Sequence, residues 1–311
     1  MRLRIASRGS QLALWQANHV GGLLEKLGHS FEVVVIKTTG DKMQSVSFAQ
    51  VGMKGMFTKE IEEALAEGEA DLAVHSMKDV PTELMPAFGL AATLERDDPR
   101  DAFLSMRYES VEELPMHARV GTSSLRREAQ LKLRRPDLVV VPLRGNVDTR
   151  IRKLESGEYD AILLAAAGVK RLGLERWVKR VMPASEMIPA VGQGALAVEI
   201  LRNAVEVRNV VRLLNHSETE MAVRSERTLL RALGGGCQVP IAAYAHWLSG
   251  SMLQLQALVA RPDGSEVLSY SEQGSSPELL GEAVARELLR SGAERLLSDL
   301  EGVSAAVPVQ P

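Results

Sequence analysis

The chain has little cysteine, few aromatic residues and no long hydrophobic run. Its 311 residues contain one cysteine, Cys237, which excludes an internal disulfide and any site that needs several thiolate ligands. No apolar stretch reaches the roughly 18 residues of a membrane span, and the first residues lack the apolar core of a signal peptide. The six histidines lack metal-ligand spacing. We therefore expect a cytoplasmic protein that has no contact with a membrane and binds no metal.

The composition of the chain is ordinary, but charge is unevenly distributed along the sequence. The chain is 45% hydrophobic and 25% charged, which is typical of a globular protein with two or three domains. Its formal net charge is −3, yet residues 119–180 hold 15 Lys and Arg against 7 Asp and Glu. Nucleic-acid binding would need aromatic stacking partners, and this segment has only Tyr159 and Trp177. The basic segment therefore predicts a small polyanionic ligand and no nucleic acid.

Alternating strand and helix patterns predict two α/β domains. The first block reads as strands at 3–7, 31–37 and 71–75, with helices starting at Ser10 and near residue 58. This alternation is typical of parallel sheet units. A second block repeats it: strands are predicted at 101–105, 118–121, 138–143 and 160–166, and helices at 124–135 and 147–156.

The end of the chain has a different pattern, which predicts a small α+β domain. A helix at 218–233, a glycine-rich loop, two alternating strands and a final helix capped by Ser276 follow one another. Before it, residues 189–200 are rich in glycine and then become a strand, which would form a hinge if it rejoined the first sheet. The expected domains are 1–94 with 195–212, then 100–188, and finally 217–311.

Cationic and hydroxyl side chains recur just after predicted strands. Ligands of α/β sheets bind at the carboxyl ends of strands, so these positions are candidate anion-binding sites. They follow the strands at 3–7, 118–121, 138–143 and 160–166, and comprise Arg8 and Ser10, then Thr122, Ser123, Ser124, Arg126 and Arg127, then Arg144 and Arg150, and finally Lys170 and Arg171.

Arg126 and Arg127 occupy the first turn of a predicted helix, where the helix dipole disfavours cations. One interpretation is an anion pocket made by the guanidinium groups, the preceding hydroxyls and free backbone N–H groups. The alternative is a solvated helix start whose arginines point outward.

Asp79 follows Lys78 in a turn after the strand at 71–75. A carboxylate among many cations can be an ion-pair partner, or it can stabilise a cation formed during a reaction. His75, in the strand itself, has the pattern of a core histidine rather than a base. Gly192-Gln193-Gly194 is compatible with a hinge or with a close approach of backbone to a ligand.

Cys237 lies within Gly234-Gly-Gly-Cys-Gln-Val-Pro240. The glycines remove neighbouring side chains and allow a loop that presents the sulfur to solvent. Both interpretations remain open at this point: a small buried hydrophobe, or a reactive thiol that carries a covalent group.

Five long motifs, taken together, resemble the porphobilinogen deaminase (hydroxymethylbilane synthase) family. They occur in the family's order, and the resemblance runs from Arg4 to about Leu300. The motifs are His75-Ser-Met-Lys-Asp-Val-Pro81, Val120-Gly-Thr-Ser-Ser-Leu-Arg-Arg127, Leu143-Arg-Gly-Asn-Val-Asp-Thr-Arg150, Pro189-Ala-Val-Gly-Gln-Gly194 and Gly235-Gly-Cys-Gln-Val-Pro240.

The resemblance implies a transferase of tetrapyrrole (haem) biosynthesis. It would join four porphobilinogen molecules head to tail into linear hydroxymethylbilane, with release of ammonia. A dipyrromethane cofactor attached by a thioether to Cys237 would prime the reaction. The implied fold is two α/β domains of the periplasmic binding-protein type around a cleft, with a third domain that carries the cysteine. The family is usually monomeric.

The resemblance also implies roles for individual residues. Asp79 would be catalytic, because it would stabilise the cations formed when the amine departs and when pyrrole attacks. The carboxylates of cofactor and substrate would be bound by Arg8, Arg126, Arg127, Arg144, Arg150 and Arg171, assisted by Ser10, Gln16, Lys54, Lys78, Thr122, Ser123, Ser124 and Gln193.

Two other classes of protein fit part of the pattern. A solute-binding or ligand-sensing protein would explain the arginines and the hinge, but it gives the cysteine loop no purpose. A cysteine-dependent hydrolase would need a histidine near Cys237.

Overall fold

The computed structural model describes residues 1–38, 59–234, 239–248 and 251–305. The chain divides into two compact units. Unit 1 consists of Met1–Pro99, Ala167–Glu175 and Gln193–Glu220; unit 2 consists of Arg100–Ala166, Arg176–Gly192 and Met221–Pro311. None of the helices in the described part of the chain has the length and hydropathy needed to cross a membrane.

Thirteen strands are present among the described residues. They are β1 Arg2–Arg8, β2 Ser30–Ile36, β3 Leu72–Ser76, β4 Phe88–Thr93, β5 Asp101–Ser105, β6 Arg119–Gly121, β7 Val139–Val141, β8 Ala161–Ala165, β9 Val178–Met182, β10 Leu196–Leu201, β11 Ile241–Trp247, β12 Leu253–Ala260 and β13 Val267–Gly274.

Nine α-helices lie in the same described ranges. They are α1 Gln11–Lys26, α2 Lys59–Ala66, α3 Leu125–Arg134, α4 Val147–Glu155, α5 Ala166–Arg171, α6 Val205–Val211, α7 Ser217–Ala232, α8 Pro277–Arg290 and α9 Ala293–Ala305. Short 3-10 turns occur at Met77–Asp79, Glu175–Trp177 and Arg212–Leu214.

Unit 1 is built on a five-stranded sheet of order β2-β1-β3-β10-β4. β1 is parallel to β2 and β3, whereas β10 is antiparallel to β3 and β4. Helix α1 covers one face, where Leu3 and Ile5 pack with Val20 and Leu24. On the other face, Ala6 of β1 packs with Ile61 and Leu65 of α2. Because helices cover both faces, the central strands are buried on both sides, as is usual for parallel sheets.

Unit 2 contains a second five-stranded sheet and a three-stranded one. The order of the five-stranded sheet is β7-β6-β8-β5-β9. β6 is parallel to β7 and β8, whereas β5 is antiparallel to β8 and β9. The three-stranded sheet is the antiparallel meander β11-β12-β13, covered on one face by α8 and α9. Helix α3 lies between the two sheets: Leu131 packs with the core of the larger sheet, and Ala129 packs with Ala242 and Leu258 of the smaller.

The predicted fold class is confirmed: two α/β sheets and a small α+β part at the end of the chain. The two five-stranded sheets have the same order and orientation, and β10 does rejoin the first sheet. The predicted three-domain boundaries are finer than the two units and stay a prediction. The sequence pattern did not predict β4 and β9, which form the edge strands beside the antiparallel strand of each sheet.

Candidate active site

In unit 1, the end of β1 leads directly into helix α1. Arg8, the last residue of β1, is partly buried. Ser10 is the N-cap of α1, and its Oγ accepts a hydrogen bond from the backbone N–H of Ala13 at 3.3 Å. Such a cap satisfies one of the free N–H groups at the helix start. One turn later, the buried Gln16 donates from Nε2 to Ser76 Oγ at 2.8 Å, so α1 is bonded to the end of β3.

Asp79 lies in the 3-10 turn that follows β3. The turn begins where Met77 N–H donates to Ala195 O at 3.0 Å, and it closes where Val80 N–H donates to Met77 O at 3.2 Å. Met77 is buried, while the Asp79 side chain is exposed. Lys78 is partly buried. The sheet thus fixes the backbone of the turn and leaves the Asp79 carboxylate accessible to a ligand.

Arg171 and Gln193, also in unit 1, are held by the protein's own backbone. Arg171 is 9% exposed; its Nη2 donates to Gly194 O at 2.7 Å, and its Nε lies 3.6 Å from Asp97 Oδ2. Its guanidinium lies 5.6 Å from the Trp15 ring centroid, and burial lowers its pKa. Gln193 is buried and donates from Nε2 to Pro99 O at 2.7 Å.

The Gly192-Gln193-Gly194 segment owes its glycines to backbone constraints. Gly192 and Gly194 have φ values of +70° and +92°, which side chains disfavour. A Cβ on Gly194 would lie 2.4 Å from Asp97 O. The backbone of Asp97 therefore requires glycine at position 194, and the two interpretations of the motif stay predictions.

In unit 2, Arg126 and Arg127 share a fully buried carboxylate, Asp101. Arg126 Nη1 donates to Asp101 Oδ2 at 2.7 Å, and Arg127 Nη2 donates to Asp101 Oδ1 at 2.8 Å. Further donors reach the backbone: Arg126 Nη1 to Ile188 O at 2.8 Å and Arg127 Nη1 to Leu163 O at 3.0 Å. The two arginines are 4% and 6% exposed. The outward-pointing alternative is therefore wrong, because both arginines are buried and paired with Asp101.

The charges of this triad do not balance. Burial would raise the pKa of Asp101, but the charges of Arg126 and Arg127 outweigh it and hold the pKa well below its ordinary value. Burial also lowers the pKa of Arg126. Two guanidinium groups on one ionised carboxylate leave a net positive charge, and Arg126 Nε is a buried donor without a hydrogen-bond partner among the described residues. An anionic group, such as a pyrrole carboxylate, would fit this excess of charge and donors.

Hydroxyl groups surround the start of α3. Ser124 is its N-cap and accepts from the Arg127 N–H at 3.4 Å. Ser123 Oγ is 3.0 Å from both the O and the N of Leu143, so it joins the ends of β6 and β7. The hydroxyl of buried Thr122 accepts from the Ser124 N–H at 3.1 Å.

The loop after β7 carries Arg144, and Arg150 lies in the first turn of α4; both are partly buried. Arg150 Nε donates to Gly145 O at 2.7 Å, which ties the first turn of α4 to the loop. Gly145 has φ +107°, and a Cβ there would lie 2.9 Å from Thr149. Arg144 and Arg150 thus flank a loop whose shape requires glycine. Lys54 and Cys237, the remaining predicted site residues, lie outside the described residues.

The sequence analysis did not single out three buried acids that have partners in or beside the candidate site. Asp101 and Glu199 are both fully buried, and so is Glu226, which accepts from Gly192 N–H at 2.6 Å and Ala245 N–H at 2.9 Å. The available signal was a charged residue at the start of, or within, an otherwise apolar strand, as in Asp101-Ala-Phe-Leu and Leu196-Ala-Val-Glu-Ile. Such residues are almost never buried without a partner.

Several cations of the basic segment, residues 119–180, form ion pairs with acids of the protein. Arg134 and Arg180 both bind Glu186, at 2.8 and 2.6 Å, and Arg135 binds Asp137 at 2.7 Å. These three cations are therefore paired with acids of the protein itself.

The fold and these side chains define a class: an α/β protein that places cations, hydroxyls and one exposed carboxylate at the carboxyl ends of its strands. Comparison with known proteins is more specific. Residues 3–209 match the family model "porphobilinogen deaminase, dipyromethane cofactor binding domain", and residues 221–290 match "porphobilinogen deaminase, C-terminal domain". The chain belongs to the porphobilinogen deaminase family. It is an enzyme of tetrapyrrole biosynthesis that condenses porphobilinogen and uses a dipyrromethane cofactor.

Curated relatives cover nearly the whole chain. The porphobilinogen deaminase of Thiobacillus denitrificans is 52% identical over 302 residues, covering 96% of this chain and 98% of the relative. That of Syntrophomonas wolfei is 50% identical over 301 residues, with the same coverage. Among solved structures, an ABC transporter periplasmic substrate-binding protein from Coxiella burnetii aligns with a TM-score of 0.43 at 13% identity, covering 72% of this chain and 96% of that one. The last likeness is too weak to carry an argument.

Proposed function

We propose that the Arg126–Arg127–Asp101 triad binds carboxylates of the cofactor and of the growing pyrrole chain. The net positive charge of this buried triad is the observation that carries the proposal. Each pyrrole ring bears an acetate and a propionate, so the ligand is a polyanion. Arginine suits such groups because its planar fork can donate two parallel hydrogen bonds to one carboxylate.

The other strand-end residues assist in the same way. Arg144 and Arg150 in unit 2 are partly buried cations that can donate to carboxylates. Arg8, Ser10 and Lys78 provide similar groups in unit 1. Arg171 and Gln193 donate to backbone carbonyls that support the site, and Gln16 donates to the side chain of Ser76, in addition to any ligand contact. Lys54 belongs to the same set by resemblance to the family.

Asp79 is the catalytic group in this proposal. Loss of ammonia from porphobilinogen leaves a positively charged methylene-pyrrolenine, and attack by a pyrrole carbon creates a second cation. An ionised carboxylate on a rigid turn stabilises both, because it needs no reorientation when the charge develops. The exposure of Asp79 allows this contact, and the hydrogen bonds around Met77 hold the turn in place.

Cys237 is the attachment point of the cofactor. The bound dipyrromethane supplies the pyrrole carbon to which the first substrate is joined. The chain's own contribution is the sulfur of its single cysteine, which forms the thioether and follows three glycines in the sequence.

The carboxylate-binding role is tested by Arg127→Leu in the full-length holoenzyme. We expect porphobilinogen consumption to fall by at least tenfold, through KM or loss of cofactor, because a charged contact is removed. Arg152→Leu is the matched control, since Arg152 is 70% exposed in the same unit. Equal activity of both variants would contradict the role of the triad.

The role of Asp79 is tested by Asp79→Asn, which keeps the size of the side chain and removes its charge. Substrate should still bind while turnover falls roughly 100-fold or more. Near-normal turnover would remove Asp79 from the mechanism.

Attachment at Cys237 is tested by intact-protein mass and by colour with acidic Ehrlich reagent. The wild-type chain should carry the added mass of a dipyrrole, and Cys237→Ser should carry none. An unmodified wild-type chain would favour a solute-binding protein or a hydrolase instead.

We also propose that the enzyme is monomeric and cytoplasmic, and that it has no nucleic-acid partner. The family resemblance supports the monomer. Sedimentation of the holoenzyme at micromolar concentration tests it, and a mass above that of one chain would contradict it.

A further inference from the structure

Three titratable side chains of unit 1 form a buried cluster that the reaction described above does not use. His75 of β3 is 8% exposed, Glu199 of β10 is fully buried, and Glu62 of α2 is 6% exposed. His75 Nε2 lies 2.9 Å from Glu199 Oε2, which is a hydrogen-bond distance. A buried acid is costly unless it is paired or protonated. The cluster therefore needs an explanation.

Glu62 is the member of the cluster whose pKa is strongly raised. Burial, followed by the charge of Glu199, raises the pKa of Glu62 to about 7, and His75 acts in the opposite direction. With one carboxyl protonated, His75 can donate to Glu199 without two bare carboxylates facing each other. The group then has hydrogen-bond donors as well as acceptors.

Other charged groups on the strands that pack against α2 have partners. Arg4 and Arg8 lie on the same face of β1 as Ala6, and Arg4 binds Asp71 at 2.7 Å. Glu32 lies on the same face of β2 as Ile36 and binds Arg2 at 2.5 Å. Glu199 and His75 are the groups whose charges act on Glu62.

The cluster is connected to Asp79 through β3. His75 pairs with Ala197 of β10, Ser76 pairs with Leu196, and the Met77 N–H continues the ladder to Ala195 O. The 3-10 turn with Asp79 begins at that point. His75 is therefore the last buried side chain of β3, since Ser76 is only partly buried and Met77 is the first residue of the turn.

We propose that His75, Glu199 and protonated Glu62 form a proton-holding cluster that positions Asp79. The hydrogen bond from His75 to Glu199 fixes the end of β3 against β10, and neutral Glu62 lets α2 pack over both. The three are positioning residues, since none of them is placed at the substrate. This inference rests on the role proposed above for Asp79.

The location of the proton is tested first, by thermal unfolding of the holoenzyme from pH 5 to pH 8. Glu62→Gln mimics the protonated carboxyl, so its melting temperature should rise relative to wild type as the pH increases, by about 2 °C or more at pH 8. Glu63→Gln is the matched control on the same helix: Glu63 is exposed and should show a difference that does not vary with pH. A pH-independent difference for Glu62→Gln would overturn the assignment.

Positioning is tested by a kinetic cycle of His75 and Asp79 variants. His75→Leu should lower kcat roughly tenfold and change KM by less than about twofold, because a small displacement of a catalytic group costs rate rather than binding. His75→Gln, whose amide can still donate to Glu199, should recover most of the loss. In an Asp79→Asn background, His75→Leu should have little further effect.

The outcomes separate this inference from the proposed function. Normal turnover of Asp79→Asn would contradict the role of Asp79 itself. If Asp79→Asn turns over poorly, two results for His75→Leu would leave Asp79 catalytic and overturn its positioning by the cluster. One is full activity of His75→Leu. The other is an equal loss of kcat from His75→Leu in the wild-type and Asp79→Asn backgrounds. Should His75→Leu not fold, a kcat of His75→Gln equal to wild type supports the proposal, and a tenfold loss opposes it.

Discussion

The two five-stranded sheets bury an acid on equivalent strands, but with opposite consequences. In unit 2, Asp101 of the antiparallel strand β5 binds two arginines. In unit 1, Glu199 of the antiparallel strand β10 binds His75, and its charge helps to raise the pKa of a second buried acid, Glu62. Both sheets have the same order and both acids are fully buried.

The difference shows that the partners of a buried acid decide what it does. Two guanidinium groups lower the pKa of Asp101 and leave excess positive charge, which suits a carboxylate-binding site. No arginine is among the groups whose charges shift the pKa of Glu62, and burial and Glu199 raise that pKa. In the proposed cluster Glu62 therefore holds a proton. One topology thus accommodates an acid whose pKa is lowered by two arginines and an acid whose pKa is raised by burial.

Asp101→Asn should cause the largest loss of stability. It leaves two buried guanidinium groups with no carboxylate, so we expect the free energy of unfolding to fall by about 3–5 kcal/mol. Chemical denaturation at pH 7 measures it. Asp148→Asn is the control, because its pair with Arg152 is exposed, and it should change the stability by less than about 0.5 kcal/mol. A similar small effect for both would mean that the triad is not buried as described.

Glu199→Gln should have a smaller effect, of about 1–2 kcal/mol, since the amide oxygen can still accept from His75. It also removes the charge that helps to raise the pKa of Glu62. Denaturation at pH 7, compared directly with Asp101→Asn, measures the difference between the two units. A loss equal to that of Asp101→Asn would show that the His75–Glu199 pair depends on charge as strongly as the arginine triad.

The pH dependence of stability should differ in sign between the two units. Asp101 has a folded pKa below its ordinary value of 3.8, so its contribution is present above pH 3.8 and is lost as the pH falls below it. Glu62 has a folded pKa above its ordinary value of 4.5, so its contribution is present below pH 4.5 and is lost as the pH rises through about 7.

Denaturation curves of wild type, Asp101→Asn and Glu62→Gln from pH 3 to pH 8 check this difference. In Asp101→Asn, the stability should depend less on pH at the acidic end of the range. In Glu62→Gln, the stability should depend less on pH between pH 4.5 and 7. An unchanged curve for either variant would contradict the charge state assigned to that residue.

Much of the local structure followed from the sequence. Ser10 and Ser124 were predicted to begin helices, and both are N-caps with hydrogen-bonded side chains. Gly28 was predicted to end α1 and has φ +83°. These features depend on residues close in sequence, where hydrogen-bond chemistry and backbone freedom act directly.

Some elements could not be predicted in this way. β9, Val178–Met182, includes charged residues and a partly buried pattern, so it lacks the apolar alternation of a strand. The final helical region was predicted as one helix but is two, because Gly292 adopts φ +104° between α8 and α9. In both cases tertiary contacts or backbone geometry outweighed the local pattern.

The sequence by itself determined the chemical types at the candidate site: arginines and hydroxyls after strands, Asp79 in its turn, and one cysteine among glycines. Only the tertiary structure decided which charges remain available. Asp101 precedes Arg126 by 25 residues and Glu199 follows His75 by 124, so no sequence pattern pairs them. Burial makes these pairings decisive, because a charge removed from water takes its state from the few groups that touch it.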